Sequence, residues 1–303
     1  MLLFGYLILV GGSIGNASRK TRTASQSIKH MIENVETADL DNVSQLITES
    51  IVRDFQRDGH ICIRGLTTLE EIESYRPFLQ DTAEKGVYEK RPLNERDTYG
   101  KAFLQIHNLW QRNEICKKFV YAKRFAHAAA TLLDVESVHL YHDQALFKEP
   151  NGGYTPWHQD QTYWPLEKGS TVTMWLPLEN ITDEVGSMYF VSGSHEIGDI
   201  QAGIISDDSH AAIEQWIHKN KQPVKTYGGM EVGDVTFHAG FTLHSAGSND
   251  SNSVRPVMTI IYVAAGTRIL EPTPEQEFDL QLWLGGRKPG EKVGSQQNPI
   301  LYP

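Results

Sequence analysis

The sequence predicts a mostly β fold with flanking helices, a barrel or jelly roll that the chain enters through its helices. Three observations carry that. After residue 137 short β-rich runs dominate, separated by Gly, Asn, Asp and Pro, without the long helices that βαβ units alternate with strands. Before residue 137, apolar residues recur at helical spacing. No internal repeat and no Gly/Ser- or Pro-rich linker divides the 303 residues, so residues 37–303 read as one domain behind a tail of residues 1–36.

The tail is apolar from Leu2 to Val10, too short for a membrane span, which needs about 20 apolar residues. It has no Lys or Arg ahead of the apolar run, so a start-site extension, a signal peptide and a weak anchor all stay open. The expected location is cytoplasmic, without stable membrane insertion. Next, residues 37–58 place Leu40, Val43, Leu46, Ile47, Ile51 and Phe55 at helical spacing, which predicts an amphipathic helix opened by Asp39 or Asp41 and stopped by Gly59. HICIRG then alternates like a short strand. A second helix is expected from Leu69 to Lys85, with Glu70 and Glu71 in the first turn, where the helix dipole favours acids. A third covers roughly 112–133. The strands are read at VHLYHDQALFKE, VTMWLPLEN, GSMYFVSG, PVKTY, DVTFHA, TLHSA and RPVMTIIYVAAG, with an irregular insertion at about 194–222 and a hairpin tip at Gly152–Gly153.

Composition narrows the function. Lys and Arg total 28 against 38 Asp and Glu, a net charge of −10, which argues against nucleic acid or an anionic membrane as partner. Two cysteines, Cys62 and Cys116, exclude a disulfide framework and a Cys-rich zinc module, and both read as inert core residues. A small-molecule substrate is the expectation; oligomeric state is not legible.

The chemistry lies on the predicted strands. In TPWHQDQTYW, His158 and Asp160 stand at i and i+2, which on an extended strand share a face, so an imidazole and a carboxylate can converge. A second His brought near by barrel closure would complete two His and one carboxylate, the facial set of non-haem Fe(II) oxygenases. The pair alone equally fits a surface His–Asp contact. Further on, GDVTFHAGFTLHSAGSNDSNSVRP offers His238 and His244, and Arg255 opens an apolar strand where a charge is costly to bury unless an anion meets it. Its planar guanidinium suits a carboxylate clamp. SGSH at 192–195 lacks a G-x-S-x-G frame and reads as a turn. Of Tyr154, Trp157, Tyr163 and Trp164, about half should line a substrate pocket and half pack the barrel.

With HDQALFKEP, WHQDQTYW, VTMWLPLEN, GSMYFVSGSH and the tail DLQLWLGGRKPG, the sequence resembles the phytanoyl-CoA dioxygenase-like family of Fe(II)/2-oxoglutarate-dependent oxygenases over roughly residues 45–303. The resemblance implies a double-stranded β-helix (jelly roll, cupin-like) core, with Fe(II), 2-oxoglutarate and O₂ as cofactor and cosubstrates. It implies His158, Asp160 and His244 as iron ligands and His238 as a neighbouring non-ligand. Arg255 would pair with the distal carboxylate of 2-oxoglutarate and Trp175 would line the cosubstrate pocket. Gln144 would contact 2-oxoglutarate, as would Gln105 or Asn108. Asp160 stands where related halogenases carry Gly or Ala, which implies oxygenation.

The implied reaction is oxidation of an unactivated C–H bond, hydroxylation by default, with release of succinate and CO₂. Three alternatives stay open: an acyl-CoA 2-hydroxylase, a cupin-type metalloprotein independent of 2-oxoglutarate, and a non-catalytic binding module. The scattered basic residues offer no dedicated CoA site, which favours a small molecule. The pocket lid is expected at 86–104 with part of 194–222.

Overall fold

Two antiparallel sheets with a cavity between them form the core of the computed structural model, which describes residues 36–303. The apolar run Leu2–Val10 lies outside the described residues. The larger sheet runs β1 (His60–Ile63), β8 (Val235–Ala239), β5 (Thr171–Pro177), β10 (Arg255–Ala264), β3 (Val138–Lys148), β11 (Ile300–Tyr302), and β2 (Leu104–His107) also pairs with β3. The smaller runs β4 (Thr155–His158), β9 (His244–Ala246), β6 (Met188–Val191), β7 (Val224–Thr226). This is the expected jelly roll with flanking helices.

β10 explains why the large sheet holds together. All ten of its residues are buried, and it lies between β3 and β5, hydrogen-bonded to both. A strand covered on both faces reads as an unbroken apolar run, and VMTIIYVA is one. Helix α5 (Lys123–Leu132) packs against β3, β5, β10 and β11, where its buried Ala126, Ala129 and Ala130 let its backbone come close. Other helices are α1 (Glu49–Asp58), α2 (Leu69–Gly86), α3 (Thr98–Ala102), α4 (Glu114–Val120), α6 (Ser194–Ile197), α7 (Asp207–Lys219) and α8 (Glu277–Leu282). No helix among the described residues is long and apolar enough to cross a membrane.

Local chemistry sets the helix ends. Thr68 and Glu71 form a reciprocal capping box that starts α2 one residue after Thr68. Gly59 ends α1 at φ 77°, its N–H bonding the Phe55 carbonyl at 2.7 Å. A Cβ on Gly59 would lie 2.2 Å from His195 Nδ1 and 2.8 Å from Thr242 Oγ1. Gly59→Ala therefore meets both a left-handed backbone and a clash, and thermal or urea unfolding should show a loss of about 2 kcal/mol or more.

Four expectations need correction. The helix predicted over 37–58 begins only at Glu49, behind the Thr48 cap; Val43 and Leu46 are exposed because 37–48 is held by long-range bonds to α5. The helix predicted over 112–133 is two helices, α4 and α5, broken at Tyr121–Ala122, where the amides of Lys123 and Arg124 donate to Asp41 Oδ1 and the Leu40 carbonyl. Residues 194–222 hold the 13-residue helix α7, capped by Ser206 and packed through Ile213 and Ile217 on Trp157, Val191 and Leu243. Gly152–Gly153 is no hairpin tip: it links β3 to β4, which belong to different sheets.

Candidate active site

Strand pairing brings the expected residues together. In the small sheet, β4 and β9 set His158 directly opposite His244, with ring centroids 4.0 Å apart. Asp160 arrives differently from the expectation: β4 ends at His158, and Asp160 opens a short 3₁₀ turn (Asp160–Tyr163), so a turn and not strand alternation presents its carboxylate. Asp160 Oδ1 lies 3.6 Å from both His158 Nε2 and His244 Nε2. One donor atom from each of the three residues falls within 4.8 Å of the others.

Protons decide what this cluster can hold. His158 Nδ1 lies 2.8 Å from the Pro156 carbonyl and His244 Nδ1 lies 2.9 Å from the Thr242 carbonyl. A carbonyl can only accept, so each Nδ1 carries the proton and each Nε2 presents a lone pair. Burial keeps both imidazoles neutral by pushing their pKa values down. Burial alone would raise the pKa of Asp160, but its carboxylate is held by hydrogen bonds, that from His238 among them, and the carboxyl lies far below its usual range. Its Oδ2 accepts from Thr173 Oγ1 at 2.7 Å and lies 3.2 Å from His238 Nε2, two side chains that the β5–β8 register sets side by side in the large sheet. Oδ1 is left facing the two Nε2 atoms. Three lone pairs converging with no proton between them repel one another until a cation lies among them, so this donor set fits a divalent metal, with its outer partners already in place.

Arg255 is 3 % exposed and has no acidic partner among the described residues. Its Nη1 donates to the Gly186 carbonyl at 2.6 Å, its Nε is buried without a partner, and its Cζ lies 5.4 Å over the Trp175 ring. Burial pushes its pKa down to about 10, so it stays charged. The β10–β3 register sets Lys148 beside it, fully buried and pushed down to about 6 by burial and by the Arg255 charge. A buried guanidinium facing a lysine and no acid fits an anion as its missing partner.

A cavity of about 250 Å³ opens from the His–Asp–His cluster. Trp175, Gln144 and Gln105 line it, while Arg255 does not. Tyr99 Oη donates to Gln105 Oε1 at 3.1 Å, and Gln105 Nε2 donates to Gln144 Oε1 at 2.6 Å, which leaves the Gln144 amide NH₂ without a protein partner among the described residues. Asn108 is absent from the lining; it adopts φ 53° and caps a short turn, its amide bonding the Asp143 carbonyl. Tyr163 and Trp164 line the cavity, whereas Tyr154 packs on His210 and Trp157 joins a core cluster. From the segments expected to form a lid, Tyr99, Phe103 and Ile205 are walls, and Thr98 Oγ1 bonds Asp207 Oδ2 at 3.0 Å to tie the two segments together. The sequence reading missed the wall from α8: Phe278, Asp279 and Trp283. Its signal lay in the alternating polar and apolar residues of QEFDLQLW.

The other candidates are structural. Ser194 Oγ donates to the Val191 carbonyl at 2.7 Å and accepts from the Leu243 amide at 2.8 Å, so SGSH is a buried turn. Burial pushes the Cys62 and Cys116 thiols up to about 11, which leaves them unreactive at neutral pH.

Known proteins resemble this chain to different extents. Over 247 residues the chain is 24 % identical to L-proline trans-4-hydroxylase of Streptomyces griseoviridis, a match covering 73 % of this chain and 88 % of that protein. Over 139 residues it is 28 % identical to a probable alpha-ketoglutarate-dependent hypophosphite dioxygenase of Stutzerimonas stutzeri, covering 43 % of this chain and 46 % of that one. Among solved structures, the non-heme alpha ketoglutarate dependent carbocyclase SnoK of nogalamycin biosynthesis has the same fold, with a TM-score of 0.68 at 23 % identity, over 88 % of this chain and 99 % of that one. The phytanoyl-CoA dioxygenase (PhyH) profile matches residues 55–257, a span that holds the His–Asp–His cluster and Arg255, and the chain belongs to that family.

Proposed function

We propose that the chain is an Fe(II)/2-oxoglutarate-dependent dioxygenase that oxidises, by hydroxylation, an unactivated C–H bond of a small molecule. The observation that carries this reading is the convergence of His158 Nε2, His244 Nε2 and Asp160 Oδ1 without a proton among them. When bound, iron and 2-oxoglutarate supply the oxidation, in which O₂ is consumed and the keto acid leaves as succinate and CO₂. The chain's own groups bind and orient. His158, Asp160 and His244 would hold the metal, and Thr173 and His238 hold the Asp160 carboxylate in place. Arg255, braced on Trp175, would pair with the distal carboxylate of 2-oxoglutarate, and the free NH₂ of Gln144 is a donor available in the cavity wall. Aromatic side chains, Tyr99, Phe103, Tyr163, Trp164 and Trp283 among them, wall the cavity beside the cluster.

Anaerobic titration of the metal-free protein with Fe(II) and 2-oxoglutarate tests this through the metal-to-ligand charge-transfer band. The band should appear in the wild type and vanish in His158→Ala. In Arg255→Ala it should need about 100-fold more 2-oxoglutarate, since a buried charge pair is lost. An unchanged 2-oxoglutarate requirement in Arg255→Ala would remove Arg255 as the anchor, and no band in the metal-loaded wild type would remove the cosubstrate assignment and favour the cupin-type alternative.

A further inference from the structure

The cavity walls carry a charge pattern that the oxidation itself does not need. Among the described residues no Lys or Arg lines the cavity, and its carboxylates are Asp160, already in the metal cluster, and Asp279. Asp279 sits on α8 one turn before Trp283, so both project from the same side of the helix. Tyr141 Oη donates to Asp279 Oδ2 at 3.3 Å, and the Tyr141 ring meets Trp164 at 5.1 Å. Trp283 in turn packs on His107 at 4.9 Å and His142 at 5.0 Å, and burial holds both imidazoles neutral.

The carboxylate of Asp279 thus shares a cavity wall with Trp164, Trp283 and two uncharged imidazoles, bonded to the Tyr141 hydroxyl and with no cation paired to it among the described residues. Even a half-buried carboxylate is costly to keep charged without a counter-charge. The cost shows in its acidity, which burial raises to about 7 against the pull of the Tyr141 hydroxyl. Ring faces next to a carboxylate attract one class of ligand: a cationic nitrogen, stabilised by ion pairing and by the ring quadrupoles. A phosphate or carboxylate group reaching the same wall would meet Asp279 and find no positive side chain.

We propose that Asp279, with Trp164 and Trp283, forms a cation subsite, and that the substrate carries a protonated or quaternary nitrogen that docks there while its C–H bond faces the metal cluster. This rests on the oxygenase reading of the site and adds the substrate's chemical class. It also disfavours acyl-CoA, a polyanion, as the substrate.

The test compares two probes of one shape and different charge, choline and 3,3-dimethylbutan-1-ol, by calorimetric titration of the full chain loaded anaerobically with Fe(II) and 2-oxoglutarate. Choline should bind ~10-fold or more tightly than the neutral alcohol, a preference of the size that cation–π and ion-pair contacts give at partly desolvated sites. In Asp279→Asn that preference should shrink to about the size of the ring contribution alone, with alcohol binding unchanged. Equal or tighter binding of the alcohol, no binding of choline at millimolar concentration, or an undiminished preference in Asp279→Asn would each overturn the subsite. If Asp279→Asn does not fold, the comparison of probes on the wild type decides by itself. The charge-transfer band, read in the same samples, separates the two readings: band present without choline preference removes the subsite alone, and choline preference without the band removes the cofactor assignment alone.

Discussion

Replacing His158 by Ala should abolish succinate release and lower Fe(II) affinity by much more than the ~10–100-fold that follows loss of an outer partner of a metal ligand. The geometry makes the comparison internal to the protein. His158 supplies one of three converging lone pairs, and no other side chain among the described residues is placed to replace it in the cluster. His238, although its ring lies 4.2 Å from that of His244, spends its Nε2 on Asp160 Oδ2 and so acts through the carboxylate. His238→Ala and Thr173→Val should each stay within the outer-partner range, because either one left in place still holds Oδ2. The double variant should lose more than the sum of the two, since Asp160 is then free to rotate out of the cluster. Anaerobic Fe(II) titration and succinate assay on the four variants read this order directly. Fe(II) affinity in His158→Ala within tenfold of the wild type would show that the cluster is not where the metal binds.

Much of this site was legible in the sequence because strand chemistry is local. His158 and Asp160 are two residues apart, and a short separation restricts where their side chains can go whatever the backbone does. The apolar runs of β3, β5 and β10 likewise announce buried strands. What was not legible depended on partners distant in sequence. The i, i+2 spacing gave the right convergence for the wrong reason, since the strand ends at His158 and a turn delivers Asp160. Asn108 and Gln105 are equally polar and three positions apart, yet β2 pairing with β3 aims Gln105 at Gln144 while Asn108 turns away into a cap. The α8 wall, which completes the cavity, is contributed by residues more than a hundred positions from His158, so their local alternation marks an amphipathic segment without saying what it faces.

The largest stability effect should come from Arg124, which explains why 37–48 is not the helix its periodicity predicts. Arg124 is 6 % exposed and meets both oxygens of Glu71, at 2.7 and 2.8 Å. It also donates to the Asn42 side chain and to the carbonyls of Leu66 and Asp39. One guanidinium therefore holds the extended segment, the turn before α2 and α5 together, and helix formation over 37–48 would forfeit those bonds. Arg124→Ala should destabilise by about 3–5 kcal/mol, because Glu71 is then left partly buried and unpaired. Replacing both residues, as Arg124→Met with Glu71→Leu, should recover most of that loss apart from the capping contribution of Glu71, since no stranded charge remains. Burial opposes ionisation of Glu71, but Arg124 and the Thr68 amide prevail and hold its pKa below 4.5. A depressed carboxyl contributes its stability above its unfolded pKa and loses it as pH falls through the folded value, so the gap between wild type and Arg124→Ala should be full at neutral pH and narrow below about 4.5. Urea unfolding of the three proteins at neutral and acid pH measures both effects. A double variant no more stable than Arg124→Ala would mean that the network's value lies in its bonds to Asn42, Asp39 and Leu66 and not in relief of the Glu71 charge.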